Sequence, residues 1–192
     1  MKRIVLYFIG FFAVLSFSSC GYNTMVKLDE QVTSQWAQVE NVYQRRADLI
    51  PNLVNSVKGA ANFEKETLTQ VIEARAKATS VNVDPTKLTP ESIAQFQSAQ
   101  GALSQSLGRL LATVEAYPEL KANQNFLELQ AQLEGSENRI TVERQKFNTV
   151  TQEYNSTIRT FPNNLTAGMF GFKAKGYFQA EAGANKAPKV EF

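Results

Sequence analysis

A chain of 192 residues is long enough for one domain with a real core and gives no reason to divide into two. Its 20 basic and 18 acidic residues become 18 against 18 once Lys2 and Arg3 of the leader are set aside, and a neutral mature chain makes no electrostatic case for nucleic acid. The complete lack of histidine excludes the Glu-x-x-His ligands of bundle di-iron sites and most zinc sets, and a single cysteine excludes an intramolecular disulfide, so the fold must rest on packing.

The leader "MKRIVLYFIGFFAVLSFSSC" has a positive pair, an uncharged run, and small residues before Cys20. That is a signal-peptide pattern. Its strongly apolar part, Ile4 to Phe17, is 14 residues, against the roughly 20 that cross a hydrocarbon core as a helix. Ser18, Ser19 and Cys20 resemble the end of a bacterial lipobox, although Phe17 stands where Leu is usual. The expectation is a signal peptide at 1–19 ending at a lipidated Cys20; the alternative is an uncleaved signal anchor with an incidental cysteine. Three acyl chains would hold the protein firmly, because each buried methylene adds about 0.8 kcal/mol.

Three segments then keep a seven-residue apolar rhythm, the mark of packed helices. In the first, Val32, Val39, Arg46, Leu53 and Ala60 form one series and Trp36, Tyr43, Ile50 and Val57 the other. A shorter helix from Phe63 to about Thr79 carries Leu68, Val71, Ile72, Ala74 and Ala78, set off by a turn at Gly59 to Asn62. Thr89 is placed to cap the next helix with Pro90 at its first position, and there Ile93, Phe96, Leu103, Leu107, Leu110, Val114 and Tyr117 form the stripe with Gln100 as its polar member. Pro118 is expected to open the final helix in the same way, with Phe126, Leu133, Ile140, Phe147, Tyr154 and Phe161 at strict sevens. No segment has strand periodicity. The predicted fold is all-α: an antiparallel up-and-down bundle of four helices over 22–161, first and last long, with residue x of the first level with about 188 minus x of the last; without a turn near residue 60 the first helix would run unbroken to 79 and the bundle would have three.

Polar members of the stripes collect in one layer. Arg46, Gln100, Glu137 and Arg144 come to similar height, and an unpaired charge there would cost several kcal/mol. Arg46 is therefore expected to pair with Glu137 or Glu143. Pro51 is expected to kink the first helix and free the Ala47 carbonyl for an arginine or water. Such a layer either fixes register and helix order or forms a ligand site or hinge. The acidic pairs Glu64 with Glu66 and Asp29 with Glu30 read as solvated helix faces.

After Pro162 the character changes. Residues 162–192 mix glycine with Phe170, Phe172, Tyr177 and Phe178, and aromatics are unusual in a merely flexible tail. They are expected to pack over the open end of the two long helices; the alternative is that they dock a partner or touch the membrane interface.

Six stretches together resemble the LemA family across nearly the whole mature region: "YNTMV" at 22–26, "QRRADLIPNLV" at 44–54, "EARAKA" at 73–78, "YPELKAN" at 117–123, "ENRITVERQKFN" at 137–148 and "YNSTIRTFP" at 154–162. Phe147 departs from a frequent Tyr, and the cysteine-ended leader departs from the uncleaved transmembrane helix of many relatives. The resemblance implies a helical bundle tethered outside the bacterial inner leaflet, with no established catalytic activity and no cofactor. Family members are often encoded near membrane-associated proteases or small envelope domains, which implies a protein partner in the envelope. The leading functional expectation is thus a lipid-anchored scaffold or adaptor on the extracytoplasmic side. A ligand-sensing or hinge module on the Arg46 and Pro51 layer is the second, and an enzyme using carboxylates alone the third.

Overall fold

The computed structural model describes the backbone of residues 2–59 and 63–180, and side chains from residue 21 onward. The lipidation expected at Cys20 and the stripe position Ala60 lie outside the described side chains. Six helices follow in order: α1 (Lys2–Lys58), α2 (Lys65–Ser80), α3 (Pro90–Val114), α4 (Pro118–Lys121), α5 (Gln124–Arg159) and α6 (Asn163–Phe170). The described residues are all helix and connection, with no strand. The all-α expectation holds, whereas the count of four does not.

Both extra helices have local causes. Pro118 opens the single turn α4 rather than the long last helix; that helix begins six residues later, where the Asn123 side chain accepts from the Asn125 and Phe126 amides at 3.0 and 3.2 Å. At the other end Thr160 stops α5, and α6 follows until Gly171, whose φ of 77° gives the left-handed turn that releases the chain. Thr89 caps α3 by accepting from the Ser92 amide, with Pro90 next, as its sequence suggests.

The long helices α1 and α5 lie along one another, α2 lies on α3, and α6 wedges against α1 and α5. Every described member of the two α1 series is buried, and so are Phe126, Leu133, Ile140, Phe147 and Tyr154 of α5. Phe161 and Ile72 break their stripes and face solvent. The register also shifts. Arg46 meets Glu137 and Trp36 meets Phe147, so facing positions sum to 183, not 188. The uniform-rise assumption fails in the non-helical 81–89 link and around α4, where the chain advances without helical pitch.

Two apolar clusters make up the core. One, near the α6 end, gathers Trp36, Tyr43, Phe96, Ile140, Phe147 and Phe178; the other gathers Ile50, Leu53, Leu103, Leu110, Phe126 and Leu133. On α1, α3 and α5 the break between them falls at Arg46, Gln100 and Glu137, so the polar layer is what divides the core.

Candidate functional site

Arg46 enters the core from the middle of α1 and is only 1% exposed. Its guanidinium donates to Glu137 Oε1 on α5 at 2.6 Å, and to Ser104 Oγ at 2.8 Å and Gln100 Oε1 at 2.6 Å on α3. The Gln100 amide donates onward to the Ala78 carbonyl near the end of α2, at 3.2 Å. One buried cation thereby ties all four principal helices at a single height. The planar fork of arginine is suited to such divergent acceptors in a way an ammonium is not. Below it lies the Tyr43 ring, 5.1 Å from the guanidinium carbon.

The expected members of the layer separate into two groups. Arg46, Gln100, Glu137 and Arg144 all line one cavity of about 650 Å³. Pro51 does not. It sits on the exposed face of α1, the helix continues through it to Lys58, and the Ala47 carbonyl that its ring deprives of a helical donor accepts instead from Arg75 Nε of α2 at 2.7 Å. The proline thus serves a contact between α1 and α2, one turn away from the layer. Glu143, the other carboxylate considered for Arg46, binds Gln35 at 2.6 Å and Lys146 at 2.8 Å.

Chemically the cavity is poor in proton acceptors. Burial pushes the Tyr43 phenol up, so it stays protonated at neutral pH. Ser104 faces a guanidinium, which cannot take its proton. Among the described residues Glu137 is the one carboxylate lining the cavity, and it is held in the ion pair with Arg46. Two guanidinium groups and this carboxylate are a recognition set for small charged groups, not a nucleophile with its base. Among the described residues no group of three or more histidine, cysteine, aspartate or glutamate side chains is placed to hold a metal.

The aromatic tail divides: α6 with Phe170 and Phe172 lies at the end of the two long helices, against Tyr22, whereas Phe178 passes on into the core. Phe170 is exposed on α6, Phe172 and Tyr177 are half-buried, and Phe178 is buried in the middle of the core cluster. Beyond Gly171 the chain forms an extended strap that runs back along the bundle toward the polar layer, with its last described residue, Ala180, on the cavity's rim. Three side-chain amides receive it as a neighbouring strand would. Asn155 exchanges two hydrogen bonds of 2.9 Å with the backbone of Lys175, Asn148 two of 2.9 Å with Phe178, and Gln97 two of 2.8 and 3.0 Å with Gln179. The Gly176 amide donates to the Leu88 carbonyl at 2.8 Å, and Arg144 both donates to the Gln179 carbonyl at 2.9 Å and covers the Phe178 ring. Phe178 stacks on Trp36 at 6.0 Å and meets Phe147 edge-on at 5.5 Å.

Asp29 is likewise more than a solvated face, since it pairs with buried Lys175 at 2.8 Å. Burial, with this carboxylate nearby, raises the Tyr154 phenol well above the ordinary range, and its hydroxyl donates to the Lys173 carbonyl. The partners that bind the strap's backbone through side-chain amides, Asn148, Asn155 and Gln97, do not stand out in the heptad pattern. The one available signal was Asn148 and Asn155, seven apart and each following a buried aromatic, Phe147 and Tyr154.

Comparison with known proteins bears on the same region. The model of the LemA family matches residues 35–192. The chain is 27% identical over 177 residues to Protein LemA of Metamycoplasma hominis, covering 92% of this chain and 77% of that protein. It is 28% identical over 179 residues to magnetosome protein MamQ 2 of Paramagnetospirillum magneticum and 27% identical to magnetosome protein MamQ of Magnetospirillum gryphiswaldense. In both cases 82% of this chain is covered, and the chain spans 64% of the relative's length.

Proposed function

Because this chain belongs to the LemA family, we propose that it is a membrane-anchored helical scaffold or adaptor of the bacterial cell envelope, working on the extracytoplasmic side without catalysis. The carrying observation is the join at Gly21. The apolar run Ile4 to Phe17 lies within α1 itself and ends four residues before Gly21, from which the described side chains of the same helix supply the whole α1 side of the core. An anchor placed there is coupled rigidly to the bundle. The names of the relatives are those of a magnetosome protein and of Protein LemA, none of them an enzyme's, which supports an assembly role.

In this reading residues 1–19 are removed, Cys20 carries lipid, the bundle over 22–161 is the body, and 162–192 is the strap-bearing end. Labelling cells with a palmitate analogue should mark the native chain and not Cys20→Ala; equal label in both would replace lipidation by an uncleaved helix. Photo-crosslinkers on the outward faces of α2 and α5 should trap discrete envelope proteins, and a blank pattern at every position would defeat the adaptor role.

A second reading is favoured by one observation. Buried Arg46 keeps an Nε–H with no acceptor among the described residues, in a side chain that lines the polar cavity. A small carboxylate held there would make the layer a ligand sensor. Thermal-shift screening with small carboxylates and zwitterions, repeated on Arg144→Gln, separates the two readings: a shift that Arg144→Gln abolishes favours sensing.

A further inference from the structure

We propose that α6 and the residues around it form a foot that lies in the lipid headgroup region, so that the bundle stands on the bilayer through its own surface as well as through its anchor. The proposal rests on the anchoring reading and adds to it a specific protein–lipid contact.

Eight large hydrophobic side chains are exposed among the described residues, and five of them, Tyr22, Phe161, Leu165, Met169 and Phe170, belong to one end of the molecule. Phe161, Leu165 and Met169 recur at steps of four, and Met169 is 81% exposed. The opposite side of α6 is used: Ala167 is buried and the helix packs on α1 and α5. Tyr22 joins the patch directly, its ring 4.8 Å from that of Phe170. A monomer in water has little reason to gather aromatic and aliphatic groups on one short helix while keeping the rest of its surface polar.

The occupant follows from what adjoins the patch. A side chain placed on Gly21 would collide with the Asn163 side chain at the start of α6. The chain therefore passes from the leader into the bundle in direct contact with this helix. If the leader is cleaved, lipid begins at Cys20, two residues before Tyr22; if it stays as a helix, the apolar run ends at Phe17, five residues before it.

Charge agrees with this assignment. Residues 21–28 and 155–174 contain Lys27, Arg159 and Lys173 and no aspartate or glutamate. All three cations are exposed. Asp29 and Glu30 follow directly, but Asp29, which lines a cavity with Phe170 and Phe172, is paired with buried Lys175, and the three exposed cations around the patch suit anionic headgroups. Apolar groups flanked by lysine or arginine are the composition by which interfacial helices sit at the headgroup and acyl boundary.

The test uses the full chain reconstituted in vesicles of phosphatidylethanolamine and phosphatidylglycerol, with and without bromine on the acyl chains. Native Trp36 is fully buried and supplies the baseline. Tryptophan is introduced at Met169 or Leu165, and for comparison at Ile72 or Val142, exposed apolar positions elsewhere on the bundle. The added emission of Met169→Trp and Leu165→Trp should fall roughly twofold or more in brominated vesicles, that of Ile72→Trp and Val142→Trp hardly at all. If the protein floats with the vesicles while Met169→Trp is quenched no more than Val142→Trp, the anchor stands and the foot is overturned. A blue-shifted but unquenched Met169→Trp means a protein, a second copy or a partner, covers the patch, and also overturns it. If the chain fails to float, anchoring and foot fall together.

Discussion

Replacing Arg46 with methionine removes the charge but keeps an apolar stem of similar length. The wild-type guanidinium makes short bonds to Glu137, Ser104 and Gln100, and hydrogen bonds to charged groups contribute about 1.5–3 kcal/mol each, not additively. Two of the acceptors behave differently once it is gone. Glu137 is 45% exposed and regains water, whereas Gln100, 6% exposed, keeps an unpaired oxygen inside the core. The expected loss is therefore about 3 kcal/mol, the low end of the 3–5 kcal/mol typical of breaking a buried ion pair. For a chain of this size that lowers Tm by roughly 6–12 °C. Glu137→Gln keeps an oxygen acceptor but leaves the buried Arg46 cation without its counter-ion, and because water reaches the Glu137 side of the pair the cost should be about 1–2 kcal/mol, smaller than that of Arg46→Met. Calorimetry of both variants is the assay. Equal losses, or an Arg46→Met that melts at or above the native temperature, would refute the account in which one buried cation organises four helices.

Phe178→Ala should destabilise by about 3–5 kcal/mol, and because Phe178 stacks on Trp36 the single-tryptophan emission should move to longer wavelength; an unmoved spectrum contradicts the seating of the strap. Gly176→Ala places a methyl carbon 2.7 Å from Pro90 Cα and 2.9 Å from the Thr89 carbonyl oxygen, an overpacking that should cost about 1–3 kcal/mol and speed amide exchange along 175–179. Hydrogen bonds from Lys146 and Gln35 hold the Glu143 carboxyl below its ordinary value. Its contribution is complete above the unfolded carboxylate pKa and is lost as pH falls through the folded one, so Glu143→Gln should lower Tm at neutral pH, leave it nearly unchanged in acid, and thereby flatten the acid side of the Tm profile.

The four principal helices were legible because each buries a continuous stripe, and period is the part of a sequence that packing enforces most strictly. The same reading found Arg46, Gln100 and Glu137 as polar interruptions at one height. It placed α4 inside the last helix because Pro118 satisfies the start signal; only the Asn123 side chain, two amides deep in its cap, shows where α5 begins. It missed α6, whose exposed Leu165 and Met169 break the rule that a helix hides its apolar side. The strap was illegible for a different reason. Its contacts are main-chain bonds to Asn148, Asn155 and Gln97, polar positions beside the stripe, which periodicity assigns to solvent.

Those amides recognise the strap by its peptide groups, which every residue type shares. At most sites between 173 and 180 the identity of the side chain is therefore nearly immaterial to docking; the exceptions are Gly176, which has no room, Phe178, which fills the core, and Lys175, which answers Asp29. A synthetic peptide bearing only these three residues in the correct phase, on an otherwise scrambled background, carries nearly all the information that the groove reads.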